Sequence, residues 1–336
     1  MPRPSLLLGS WVRRFLLEHL VAERNLAQNT QKSYRDTLVL HLPFISRRRK
    51  KSVDLLSVDD LSGTLLKGFL EYLESQRNCS IRTRNQRLAA VHAIARFIAE
   101  REPQHIPWCA EIRSIPFKRF TRSELSYLDK PEIDALLAAP DYRTPQGCRD
   151  HVLLLFLYNS GARVTEATSL QIADLNLNPH AMSDARLMGK GRKIRRCPLW
   201  PETTKKLLEL TRNRPHDQPV FLNRLGQAIT RYGVHSMLRK HVKVAAGSCP
   251  SLLRKRVSPH TIRHTTATHL LRSGVDINTI RGWLGHVSLE TTNIYAEVDL
   301  ERKTQALTQC GALRVPSRKQ KRWKDDPSLI AFLRAL

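Results

Sequence analysis

From Ser258 to Asp299 the chain reads SPHTIRHTTATHLLRSGVDINTIRGWLGHVSLETTNIYAEVD. Ser258 is a good N-cap and Pro259 a good first helical residue, so a helix opens here with His260 and Arg263 on one face of its first turns. Backbone N–H groups at a helix start already favour an anion. A single histidine is usually structural, but His260, Arg263 and His264 together at one helix start point to a site. His264 could instead pack or buttress a neighbour. Further on, Gly285 would end a short helix and Ser288 would cap the next, which carries Thr291, Thr292 and Tyr295. A tyrosine on a helix is by default a packing residue with a bonded hydroxyl. As a nucleophile at neutral pH its phenol, of ordinary pKa about 10, needs cations or a base beside it. Arg163, Arg263, His260 and His286 would supply both.

Two segments nearer the N-terminus suit the same phosphate-like target. In Ser160-Gly161-Ala162-Arg163-Val164-Thr165-Glu166-Ala167, Arg163 follows a glycine turn, and Glu166 three residues on could hold its guanidinium in place. Most Arg–Glu pairs at this spacing are solvated surface pairs, so alone this segment decides little. In Gly189-Lys190-Gly191-Arg192-Lys193 a tight turn presents Lys190 at its tip. Such a lysine can reach into a groove and donate a proton to a leaving oxygen, or it can merely touch a nucleic-acid backbone; Arg192 and Lys193 are read in the second way. Short strands are expected at Leu175–Leu177, Ala185–Met188 and Lys193–Pro198, flanking this turn. Lys130-Pro131-Glu132 opens a helix, His151–Tyr158 is a nearly continuous apolar run suited to a buried one, and helices resume from about residue 201.

The first hundred residues read as four helices with a basic side. Trp11, Phe15, Leu16 and Leu20 keep helical spacing, as do Tyr34, Leu38 and Leu42 after a candidate cap at Thr30. A third helix is expected from a capping-box-like Ser57-Val58-Asp59-Asp60, and a fourth after Ser80. Pro103, Pro107 and Pro116, set among polar and basic residues, predict an extended linker over 102–125.

The 336 residues suffice for two ordinary domains, and 41% hydrophobic against 26% charged residues argues against a disordered chain. With 56 Lys+Arg against 30 Asp+Glu the net charge is +26. Nucleic acid is therefore the first partner to consider and an anionic membrane surface the second. The surplus is +8 over 1–103, +2 over 104–125, +11 over 126–308 and +5 over 309–336, which excludes a lone basic tail on a neutral enzyme. No apolar run approaches the roughly 18 residues of a membrane helix, and the apolar stretch after Met1 is shorter than a signal-peptide core. A soluble, cytoplasmic protein is expected. Cysteines 79, 109, 148, 197, 249 and 310 show no C-x-x-C spacing, so reduced thiols are expected rather than zinc ligands or disulfides.

Together, the Gly-Ala-Arg-Val-Thr-Glu segment, Gly-Lys-Gly-x-Lys, the His260-x-x-Arg263 box, the Leu284-Gly285-His286 box and Tyr295 resemble the signature of the tyrosine recombinases, the phage-integrase family. The likeness is close over 126–308; residues 8–102 resemble the family's core-binding domain in size and basicity more than in motifs. It implies a mainly α fold with a small antiparallel β-sheet: a helical core-binding domain at 1–103, a linker at 104–125, a catalytic domain at 126–308 and a basic tail at 309–336. It further implies Tyr295 as the nucleophile that forms a 3′-phosphotyrosyl link. Arg163 and Arg263 would hold the non-bridging oxygens, and Lys190 would be general acid for the 5′-oxygen. His260 would assist proton transfer, His286 would bond the phosphate, and Glu166 would support the first arginine. The implied chemistry needs no metal and no cofactor, and the implied partner is double-stranded DNA, bound by a homo-tetramer on two sites, alone or with related recombinases.

Two departures stand out. Ala162 replaces a larger apolar residue, a matter of packing. In Ser317–Lys324 five of eight residues are Lys or Arg, with Trp323 among them; this tail is either a solvated end or a segment that docks on a neighbouring protomer or tracks DNA. Two other functions share these features: a catalytically silent DNA-binding accessory protein, and a type IB topoisomerase-like enzyme.

Overall fold

Apolar positions at helical spacing build the first of two units in this computed structural model, which describes residues 7–120, 126–189, 191, 193–285, 331, 333 and 334. The units are Met1–Ser123 and Glu124–Leu336. The architecture is mainly α, with one three-stranded antiparallel sheet.

In the first unit α1 (Leu8–Arg14) runs on into a π-helical stretch, Phe15–Glu23, followed by α2 (Gln28–Arg49), α3 (Gly63–Ser75), α4 (Ile81–Arg101) and α5 (Ile106–Arg113). Trp11, Phe15, Leu38, Ile45 and Phe97 fill one core cluster. Phe69, Leu70, Leu88, Val91 and Ile112 fill a second. α4 follows Ser80 as expected, and the structure makes Ser80 its cap, the hydroxyl accepting the Thr83 N–H at 3.2 Å. Thr30 does not cap α2, which starts two residues earlier with Ala27 at the N-cap. The Ser57 capping box forms, with Asp60 accepting the Ser57 N–H at 2.8 Å, but it closes only a 3₁₀ turn, Val58–Asp60. The chain then bends to bury Leu61, and α3 begins afresh with Ser62 accepting the Leu65 N–H.

The linker at 104–125 also needs correction. Pro107 stands in the first turn of α5, where a missing N–H costs nothing, so it starts a helix instead of preventing one. Cys109, Ile112 and Ile115 are buried. The Glu111 carboxylate accepts the Gly63 N–H at 2.7 Å, and the Trp108 indole donates to the Leu61 carbonyl. Beyond the helix, Asn85 holds the backbone of Lys118 from both sides, accepting its N–H and donating to its carbonyl. Residues 104–120 thus belong to the first unit's packing.

The second unit contains α6 (Lys130–Ala138), α7 (Pro145–Ser160), α8 (Val164–Thr168), β1 (Leu175–Asn176), β2 (Ser183–Met188), β3 (Ile194–Leu199), α9 (Pro201–Thr211), α10 (Arg231–Ala245), α11 (Pro259–Arg272) and α12 (Ile277–Leu284). α7 is its central rod: every residue from Asp150 to Ser160 is buried. The buried Asp150 carboxylate is matched by Arg149 at 2.7 Å and His241 at 2.8 Å. The sheet runs β1-β2-β3, with Ala185 opposite Cys197 and Leu187 opposite Arg195. Alternation along β3 therefore sets Arg195 on the face that also carries the buried Cys197 and Leu199.

α11 packs on the end of α7. The Thr266 hydroxyl donates to the Tyr158 carbonyl at 2.7 Å, and the Thr265 hydroxyl accepts the Leu128 N–H. Asp276 caps α12 by accepting the Asn278 and Thr279 N–H groups. Cys79, Cys109, Cys148, Cys197 and Cys249 are free thiols. Among the described residues no helix is long and apolar enough to cross a membrane.

Candidate active site

Two glycine turns and one helix start bring the predicted cationic residues together. α7 ends at Gly161, whose positive φ of 57° turns the chain toward Arg163. An added Cβ at Gly161 would lie 2.5 Å from Leu284, so glycine serves both the turn and the close approach of α12. α12 in turn ends at Gly285 in the left-handed region. α11 begins at Ser258 and Pro259, as expected, with the Ser258 hydroxyl accepting the Thr261 N–H at 3.2 Å.

Arg163 and Glu166 form the expected pair. Nη1 of Arg163 donates to Oε1 of Glu166 at 2.8 Å, and the Arg163 backbone N–H donates to Oε2 at 2.8 Å. The Glu166 side chain is only 1% exposed, against 35% for Arg163, so the carboxylate is the anchor and the guanidinium the accessible group. Burial alone would raise the Glu166 pKa, but hydrogen bonds and charge from Arg195, then the bonds from Arg163, hold it below the usual carboxylate range.

Arg263, on α11, is 1% exposed. Its Nη1 and Nη2 donate at 2.6 Å to the carbonyls of Gly161 and Leu284, fixing the plane of the guanidinium. His260 lies on the exposed side of the same helix start, its ring edge-on to His264 at 4.2 Å between centroids. Partial desolvation, then the charges of Arg263 and Arg163, hold the His260 pKa below the ordinary histidine value. A neutral imidazole beside two permanent cations can accept a proton. His264 is more deeply set; burial, His260 and Arg263 lower its pKa to about 4.

Arg163, Glu166, His260 and Arg263 are thus brought to one region of the second unit. Lys190, His286 and Tyr295 lie outside the described residues, as do Arg192, Ser288 and the tail segment Ser317–Lys324. Arg195 is the participant that motif reading missed. Its Nη1 and Nη2 take Oε1 and Oε2 of Glu166 at 3.1 and 2.8 Å, and its Nε donates to the Trp283 carbonyl at 2.8 Å. Period-two alternation held the signal: Arg195, Cys197 and Leu199 share one strand face, and a charge among inward-facing residues needs a partner. Among the described residues no group of three or more His, Cys, Asp or Glu is placed to hold a metal ion.

Residues 126–302 match the model of the phage integrase family, and residues 13–102 match its N-terminal SAM-like domain. Tyrosine recombinase XerC of Pelobacter propionicus is 36% identical over 299 residues, 87% of this chain and 91% of the relative. The chain belongs to the phage-integrase family of tyrosine recombinases. A protein of Sinorhizobium fredii provisionally named integrase/recombinase y4rC is similar to this recombinase end to end, with 40% identity covering 98% of both. Among solved structures, the recombinase resembles the Tn1549 transposon integrase in complex with circular intermediate DNA. The TM-score is 0.65 at 19% identity, covering 88% of this chain and 98% of that one. XerH bound to difH substrate gives 0.64 at 22%, covering 84% and 80%. At such identities the likeness is one of fold. The recombinase is a site-specific DNA-recombining enzyme, as its family membership establishes.

Proposed function

We propose that this recombinase cuts duplex DNA by attack of the Tyr295 hydroxyl on the scissile phosphorus. The P–O5′ bond breaks as the tyrosyl P–O bond forms, leaving a 3′-phosphotyrosyl link and a free 5′-hydroxyl; the reverse step with a new 5′-hydroxyl rejoins the strands. The tyrosine proton leaves with the help of His260, and Lys190 protonates the departing oxygen. Arg163 and Arg263 neutralise the charge that grows on the non-bridging oxygens, and His286 hydrogen-bonds the same phosphate. Each phosphodiester is exchanged for a phosphotyrosyl ester of similar energy, so the cycle needs no energy-supplying cofactor.

The observation that carries this reading is the pair of guanidiniums at the turn after α7 and the start of α11. One is held by the buried Glu166, and a histidine of lowered pKa stands beside them. On this reading the working assembly is a homo-tetramer on two duplexes in the cytoplasm. The first unit and the basic surplus of both units hold the DNA.

Incubating the protein with a duplex nicked beside the cleavage point should trap wild type covalently, because the short 5′-hydroxyl fragment diffuses away. Tyr295→Phe should bind with similar affinity and give no adduct. A full-level adduct from that variant would refute the assignment of Tyr295. Binding without any adduct from wild type would favour a silent accessory protein.

A further inference from the structure

The last carbonyls of a helix have no partner within it and sit at the negative end of its dipole. At the end of α12 three consecutive carbonyls are each met by an arginine from a different part of the second unit. Trp283 accepts from Nε of Arg195 at 2.8 Å, Leu284 from Nη2 of Arg263 at 2.6 Å, and Gly285 from Nη2 of Arg163 at 3.3 Å. Two of these arginines belong to the proposed phosphate clamp. The third, on β3, has all three guanidinium nitrogens engaged on Glu166 and Trp283, and its side chain is 10% exposed. It is therefore bonded to the clamp's support and to the segment that leads on to His286 and Tyr295, and is largely shielded from solvent.

We infer that Arg195 is a positioning residue for DNA cleavage, one that sets the end of α12 and the Glu166–Arg163 pair in a single fixed relation. The inference rests on the phosphotyrosyl reading above. The surroundings are shaped for a guanidinium. An added Cβ at Gly285 would stand 3.1 Å from Nη1 of Arg195, and one at Gly189 would stand 3.4 Å from Oε1 of Glu166. A lysine could supply the charge but not a two-pronged bond to the carboxylate together with a third bond to a carbonyl. Without Arg195, Glu166 would hold Arg163 less firmly, and the chain beyond Gly285 would lose one of three ties. Misplacement of reacting groups by about 1 Å costs about 100-fold in rate.

The test uses full-length wild type, Arg195→Met, Arg195→Lys and, as comparator, Arg163→Ala, in single-turnover adduct formation on the nicked duplex. The scissile linkage is either the normal phosphate or a methylphosphonate, which lacks the non-bridging charge that Arg163 neutralises. Arg195→Met should slow adduct formation about 10- to 100-fold on the phosphate, with DNA affinity changed less than about 3-fold. Like that of Arg163→Ala, its deficit should shrink on the methylphosphonate, and Arg195→Lys should recover part of the rate. Thermal unfolding checks each variant. If Arg195→Met does not fold, the same contrast between the two substrates is required of Arg195→Lys. Wild-type rates in the variants, or equal slowing on both linkages, would overturn the inference. Failure of wild type itself to form an adduct overturns the phosphotyrosyl reading and this inference with it.

Discussion

Glu166 shows why a residue's neighbours matter more than its motif. Four donor contacts from two arginines converge on a carboxylate that is 1% exposed, so its removal leaves the largely buried Arg195 charge without its counterpart. Glu166→Gln should lower stability by about 3–5 kcal/mol, the usual cost of breaking a buried ion pair from one side, as read from denaturant midpoints. An undiminished midpoint would show that the arginines find other partners. His264 supplies a pH dependence. Unfolded, it takes up a proton near its ordinary 6.5, whereas folded it does so only near about 4. Across that window the unfolded state binds more protons, so stability should fall as pH drops from about 6.5 to about 4. The buried His41 of the first unit, lowered to about 3, acts in the same direction. Replacing His264 with glutamine should flatten the slope of unfolding midpoint against pH without abolishing it.

At the level of elements, the instructive case is α5. Prolines among polar residues argued for an extended chain, yet Pro107 sits where a helix tolerates proline, and Ile112 is fully buried. Ile112→Ala should therefore destabilise the protein by about 2–5 kcal/mol, measurable by denaturant unfolding, whereas an exposed linker position would change it by less than about 0.5. The capping signal at Ser258 and the helix start after Ser80 were legible because a cap and its helix are neighbours in sequence. Those at Thr30 and Ser57 did not mark the starts of α2 and α3. Leu61 is drawn into the core and splits what periodicity joins, and α2 extends past its presumed cap to Gln28. In β3 the alternation of Arg195 with Cys197 and Leu199 was visible, but its partner Glu166 lies 29 residues away.

For the molecule as a whole, the +26 charge predicts DNA binding that weakens steeply with salt, because each phosphate neutralised releases counterions. With six to ten such contacts, affinity should fall about 10³- to 10⁵-fold between about 50 and 200 mM salt; a flat titration would contradict this origin of binding. The sequence by itself determined the mainly helical plan with its short sheet, and marked the glycine turn before Arg163 and the helix start that carries His260 and Arg263, because helix caps, glycine turns and apolar periods are local signals. Only the tertiary structure decided that α5 belongs to the first unit's core, that Arg195 joins Glu166 to Trp283, and that three guanidiniums meet the end of α12. A buried charge must find its partners wherever the fold brings them, and no spacing along the chain records that encounter.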